Sequence, residues 1–381
     1  MPAWKDHITI QQQGGVYDPA RSSAFEQINT GIVQDLFEQL RSRLVADDYL
    51  QRQDQVELIF LNNQRLAAFV IKDGEQHAIC ISIGATRVIW NLLILSLADP
   101  DILPGYPGDS NIRYTWPSHL DDQVLLGPVI EGSFDYDGQF SHPAGVPEQC
   151  ITRERLELCT LFYHWIIDYL LYHEAAHITR DHLLFLSIYH NGDVVDETKL
   201  FQGKALNLMQ LFELDADVHA LDYVIQSNEE VSNLDQLSVS EFRDFFFIEL
   251  FGYILIQQLF DYEHKRIADE LQLDHPPPVF RAIVWTNALV KTFHEVFGKD
   301  QALLKDEHNK AWYEASKIAT KLGFPEGRWR GDHMNDVPFP AVDELTAQYF
   351  ALEKIISIPD VPESLRQFKD YLLVLQIKSM A

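Results

Sequence analysis

The chain has 381 residues, 46% of them hydrophobic, 12% aromatic and 23% charged. This composition supports a sizeable core and excludes a disordered or fibrous protein. A formal net charge of -27 repels phosphate backbones, which argues against nucleic acid as a direct partner. The cysteines Cys80, Cys150 and Cys159 match no zinc or disulfide spacing and fit a reducing compartment. The N-terminus, Met-Pro-Ala-Trp-Lys-Asp-His, lacks the apolar core of a signal peptide. The expected setting is therefore the cytoplasm.

In chain order, Ile28, Ile32, Leu36, Phe37, Leu40 and Leu44 recur at helical spacing and predict a helix over 24–46. Residues 56–83 then hold short runs rich in β-branched side chains, at 56–61, 66–71 and 77–83. Asp73-Gly74 between the last two signals a tight hairpin, because such a turn needs positive φ. A small antiparallel sheet is expected, followed by a helix over 85–98. The stretch 101–150 carries six prolines with glycines between them and reads as a long irregular excursion of functional type. Beyond it, helices are expected near 153–190, 204–226, 236–265, 279–297, 301–322, 341–357 and 362–378. The two most apolar stretches, 88–98 and 245–260, are shorter than the roughly 20 residues of a membrane span, so both read as core helices. The chain divides into an N-terminal helical segment (1–50), a main domain (51–300) and a C-terminal helical extension (301–381).

The chemistry concentrates at His173-Glu174-Ala175-Ala176-His177. Residues four apart lie on one helix face, so the two imidazoles can point at a single tetrahedral ion. Glu174, about 100° round the helix, sits beside the metal, where a carboxylate can take a proton from zinc-activated water. The preceding run, 161–171, is apolar on nearly every face and should cross the protein centre. Two histidines and a glutamate at its end are costly to bury without a purpose.

A third ligand is required. A histidine six residues after His177 would mark one large class of zinc peptidase, but Leu183 stands there. Glu213 is preferred. It opens a Glu-x-x-Ala-Asp pattern with Asp217 one turn away; the small Ala216 permits close helix approach, and Asp217 can accept the outer N–H of a liganding histidine. Glu197, 20 residues after His177, is the alternative. His182 reads as a group behind the ligands, while His219 lies on another face of its helix from Glu213. Tyr253 and Tyr262 are candidate hydrogen-bond donors that nothing in the sequence selects.

An apolar helix entering His-Glu-x-x-His, a further histidine at 182, the Glu213-x-x-Ala216-Asp217 helix and a His-Pro element at Asp274-His275-Pro276 resemble the Lit family of bacterial peptidases, within the gluzincin group. The likeness covers about 76–290. It implies an α+β, mainly helical, zincin-like fold with a small antiparallel sheet beside the active-site helix. It also implies Zn2+ as cofactor and cytoplasmic endoproteolysis of a host protein, with a translation elongation factor as the type of target. A phage-defence setting with a latent state and a trigger comes with it. By resemblance His275 donates a hydrogen bond to the oxyanion; it equally suits a helix N-terminal turn, with Pro276–Pro278 starting the next helix. Arg281 is a candidate partner for a nearby carboxylate. The partners expected are a protein or peptide substrate, no nucleic acid and no inserted membrane segment. The run at 77–83 is expected to be an edge strand that guides an extended peptide, with 101–150 as a gate.

Overall fold

A computed structural model describes residues 4–18, 23–47, 50, 52–104, 129–133, 139–143, 151–180, 182–183, 194–196, 206–232, 236–267, 278–295, 297–325 and 328–329. The helices are α1 (Ile8–Gln12), α2 (Ala24–Ala46), α3 (Ile83–Ala98), α4 (Arg153–Thr179), α5 (Leu206–Ser232), α6 (Val239–Ile267), α7 (Pro278–Glu295) and α8 (Gln301–Lys321). The strands are β1 (Val56–Leu61), β2 (Ala68–Asp73), β3 (Gln76–Ser82), β4 (Val129–Ser133), β5 (Gln139–Pro143) and β6 (Val194–Asp196). The class is α+β, mainly helical. The expected helices at 341–357 and 362–378 lie outside the described residues. Within 101–150, β4 and β5 form a two-stranded antiparallel hairpin, so that stretch is not irregular throughout.

The sheet departs from the antiparallel expectation. Its order is β1-β3-β2-β6, with β1 parallel to β3 and β2 antiparallel to both β3 and β6. The cause is the 62–67 connection. The backbone N–H of Ser82 donates to the carbonyl of Ala67 at 2.9 Å, that of Gly84 to Asn63 at 2.8 Å, and Ser82 Oγ to Arg65 at 2.6 Å. The connection is thereby tied across the end of β3, and β1 and β2 are held apart with β3 between them. β3 is thus an interior strand, its backbone hydrogen bonds used on both sides, and it cannot guide a peptide by strand addition. The predicted hairpin does form: Asp73 pairs with Gln76, and Gly74 supplies φ +59° at the turn.

Ser82 ends β3 and caps α3, its side chain accepting from Ala85 N–H at 3.0 Å. Almost every residue of α3 is buried. α4 starts at Thr152, whose side chain accepts from Arg155 N–H at 3.3 Å, and runs through the centre against α2, α3, α5, α6, β2 and β3. Its apolar run makes that possible: Phe162, Tyr163, Ile166, Ile167, Tyr169, Leu170 and Leu171 are all buried, each large apolar side chain contributing roughly 1.5–3 kcal/mol. α5 lies along α4, and α7 and α8 pack on α6. One buried apolar cluster extends from Phe25 to Trp329. The apolar run at 245–260 lies within α6, whose bounds fall close to the expected 236–265. Its stretch Val239–Glu263 meets the length and hydropathy of a membrane span, yet 78% of the apolar window is buried inside the protein, as a core helix would be. Cys80 and Cys159 are buried free thiols, and Cys150 lies outside the described residues.

Candidate metal centre

The last turns of α4 carry His173, Glu174 and His177 into the interior, and the middle of α5 brings Glu213 against them. The four are 5%, 4%, 1% and 2% exposed, so the cluster is sealed from bulk water. The two imidazoles face each other through Nε2 atoms 3.4 Å apart. Glu213 closes the triangle, with Oε2 at 3.3 Å from His173 Nε2 and Oε1 at 3.6 Å from His177 Nε2. Metal–ligand bonds of about 2.0–2.1 Å define a tetrahedron whose edges are about 3.3–3.4 Å. The three donors therefore sit close to three corners of such a figure, and they form the candidate metal-binding group among the described residues. Glu197 lies outside the described residues, so the choice of Glu213 rests on this geometry.

Glu174 is offset from the triangle, and its Oε2 has no hydrogen-bond partner among the described residues. Burial pushes its carboxyl up to about 7, against the pull of His173 and with reinforcement from Glu213. A carboxylate poised there can exchange protons near neutrality.

Behind His173, Asp217 Oδ1 lies 3.0 Å from Nδ1, close but not aligned as a hydrogen bond. Arg281, from α7, donates to both Asp217 oxygens at 2.7 Å and reaches Glu213 Oε2 at 3.3 Å. Tyr169 also donates to Asp217. Burial alone would raise the Asp217 carboxyl, but Arg281 and His173 hold it well below the usual carboxylate range. Burial alone would lower His173; Asp217 and Glu213 outweigh it and push the imidazole up to about 10. Tyr253 stacks on Trp285 with centroids 4.0 Å apart and meets Tyr169 edge-on, which places it in the wall behind Asp217.

Behind His177 the arrangement differs. His182 Nδ1 lies 3.1 Å from His177 Nδ1, and its Nε2 lies 2.8 Å from Asp215 Oδ2. Arg180, which caps α4, donates to Asp215 at 2.9 and 3.2 Å. Burial lowers the His182 imidazole despite Asp215. His182 and Arg180 in turn hold Asp215 down to about 2 against its own burial. His219 stands on this outer side, 4.0 Å from Asp215, away from the triangle as expected.

The charges also favour a cation. Glu174, Glu213 and Asp217 bring three buried carboxylates together; among the described residues the Arg281 guanidinium offsets one of them, and with neutral imidazoles two negative charges are left when all three are ionised. A divalent ion supplies that balance with both imidazoles neutral, the form in which histidine binds metal.

His173, Glu174, His177, Glu213, Asp217 and His182 come together as the sequence led us to expect, and Arg281 finds its carboxylate. His275 lies outside the described residues. Asp215 and Arg180 were missed, although a signal existed. Glu213, Asp215 and Asp217 alternate on one helix, so Asp215 points about 200° from Glu213; a buried helix with acids on two faces needs a separate partner for each.

No protein-family model, curated protein or solved structure matches this chain.

Proposed function

We propose that the chain is a zinc-dependent endopeptidase with a zincin-like site, hydrolysing a peptide bond in a cytoplasmic protein. The observation that carries this is the convergence of His173 Nε2, His177 Nε2 and the Glu213 carboxylate at 3.3–3.6 Å spacing, beside Glu174, whose Oε2 has no hydrogen-bond partner among the described residues. Three donors leave one corner of a tetrahedron for other occupants, the pattern of a catalytic rather than a structural zinc site.

His173, His177 and Glu213 would hold the ion. When bound, zinc supplies Lewis acidity, making water acidic near neutral pH and polarising a carbonyl oxygen. Glu174 takes a proton from the attacking water as its oxygen bonds to the scissile carbon. It then returns that proton to the leaving nitrogen as the C–N bond breaks. Asp217, held by Arg281 and Tyr169, orients the His173 ring and raises its basicity. The resemblance to the Lit family extends the reading to phage defence with an activating trigger, and to oxyanion stabilisation by His275.

To test the activity, the wild type and Glu174→Gln are expressed in bacterial cells and newly formed protein termini compared. New termini with the wild type alone support the reading. Identical termini from both remove Glu174 from the mechanism.

A second reading is favoured by the near-complete burial of the four groups: a zinc-binding regulatory or sensor protein with restricted or no proteolytic activity. Full zinc occupancy with no new termini would select it.

A further inference from the structure

We infer that His182 and Asp215 form a proton-ordered relay that fixes the tautomer of His177, making His182 a positioning residue of the metal centre; this rests on the reading of His177 as a ligand. The carboxylate of Asp215 only accepts hydrogen bonds. His182 Nε2, 2.8 Å from it, therefore carries the proton. A neutral imidazole has one N–H, so His182 Nδ1 bears a lone pair. That lone pair faces His177 Nδ1 at 3.1 Å, and the contact is attractive only when His177 holds its own proton on Nδ1. The His177 lone pair is then on Nε2, the atom 3.4 Å from His173 Nε2 and 3.6 Å from Glu213 Oε1. Two hydrogen bonds thus run outward from His177 to Asp215 and keep its donor face turned from the centre.

Each member is held in place. Arg180 grips both Asp215 oxygens. Phe212 stacks on His182 with centroids 4.4 Å apart and planes 16° apart. His182 is fully buried and Asp215 nearly so. Helix geometry explains why a second imidazole intervenes. Asp217, one turn from Glu213, meets His173 directly, whereas Asp215 projects from another side of α5 and meets His182. Arg180 caps the end of α4, and His182, two residues on, stands between Asp215 and His177.

The tautomers can be observed in the full-length, zinc-free chain by imidazole 15N–1H correlation NMR near neutral pH, with His177→Gln and His182→Asn used for assignment. Protons on Nδ1 of His177 and Nε2 of His182 are predicted. A proton on Nε2 of His177 overturns the relay. Zinc affinity by chelator competition supplies a second readout. His182→Phe keeps the ring stack but removes the acceptor, and should weaken binding about 10–100-fold. His182→Asn, which places an acceptor oxygen near the Nδ1 position, should stay within severalfold of the wild type. Equal affinity in His182→Phe and the wild type would also overturn the relay. A wild-type chain that shows both tautomers yet takes up no zinc would sink the peptidase reading and leave the relay standing.

Discussion

His173 in the candidate metal centre and His308 in the α6–α8 core are equally buried, each 5% exposed, yet their imidazoles are pushed in opposite directions. Around His308 the partners are neutral: Thr286 Oγ1 lies 3.2 Å from Nε2, and Trp312 donates to the same nitrogen at 3.2 Å. Burial there acts almost alone and lowers the imidazole to about 4. Around His173 the same burial is outweighed by Asp217 and Glu213, and the imidazole rises to about 10. Burial alone selects a neutral ring; the carboxylates turn the site into one that demands positive charge. That demand, more than the presence of two histidines, marks the centre as a place for a cation.

The largest effect should come from removing the charge that distinguishes the two regions. Asp217→Asn leaves the buried Arg281 guanidinium with Glu213 as its remaining carboxylate partner, and should cost about 3–5 kcal/mol in denaturant unfolding. A loss below about 1 kcal/mol would show that the network contributes little. The contrasting region is broken by acid. His308 has a folded-state value below its unfolded one, so between pH 6.5 and about 4 the unfolded chain binds more protons. Stability is full above the upper limit and declines as pH falls through the window. His308 would contribute up to ~3 kcal/mol of that decline, and His308→Gln should flatten this part of the profile. An unchanged pH dependence in the variant would show that His308 is not held neutral.

A smaller effect is expected behind the site. A Cβ at Gly252 on α6 would stand 2.6 Å from Cε3 of Trp165, whose ring stacks on Tyr169 with centroids 5.9 Å apart. Tyr169 in turn donates to Asp217. Gly252→Ala should therefore cost about 1–3 kcal/mol by overpacking, read as a lower Tm, and should disturb His173 more than His308.

Much of the centre was legible because it is written in local spacing. His173 and His177 are one helical turn apart, as are Glu213 and Asp217, and the 3.6-residue period alone places each pair on one face. The turn at Gly74 was legible for a similar reason, since its backbone angle is a property of the residue. What failed was long-range. The position of β3 between β1 and β2 follows from the knot of hydrogen bonds around Ser82 and Gly84, which no periodicity encodes. The pairing of Asp215 with Arg180 and His182 likewise depends on where the end of α4 meets α5.

Zinc content per chain, measured by elemental analysis on purified wild type, His173→Ala and Glu213→Ala, addresses the cation demand most directly. One zinc ion in the wild type, lost or sharply reduced in both variants, is the predicted outcome. A wild-type chain without zinc after incubation with the metal, or variants that keep it undiminished, would contradict the assignment of these three side chains as its ligands.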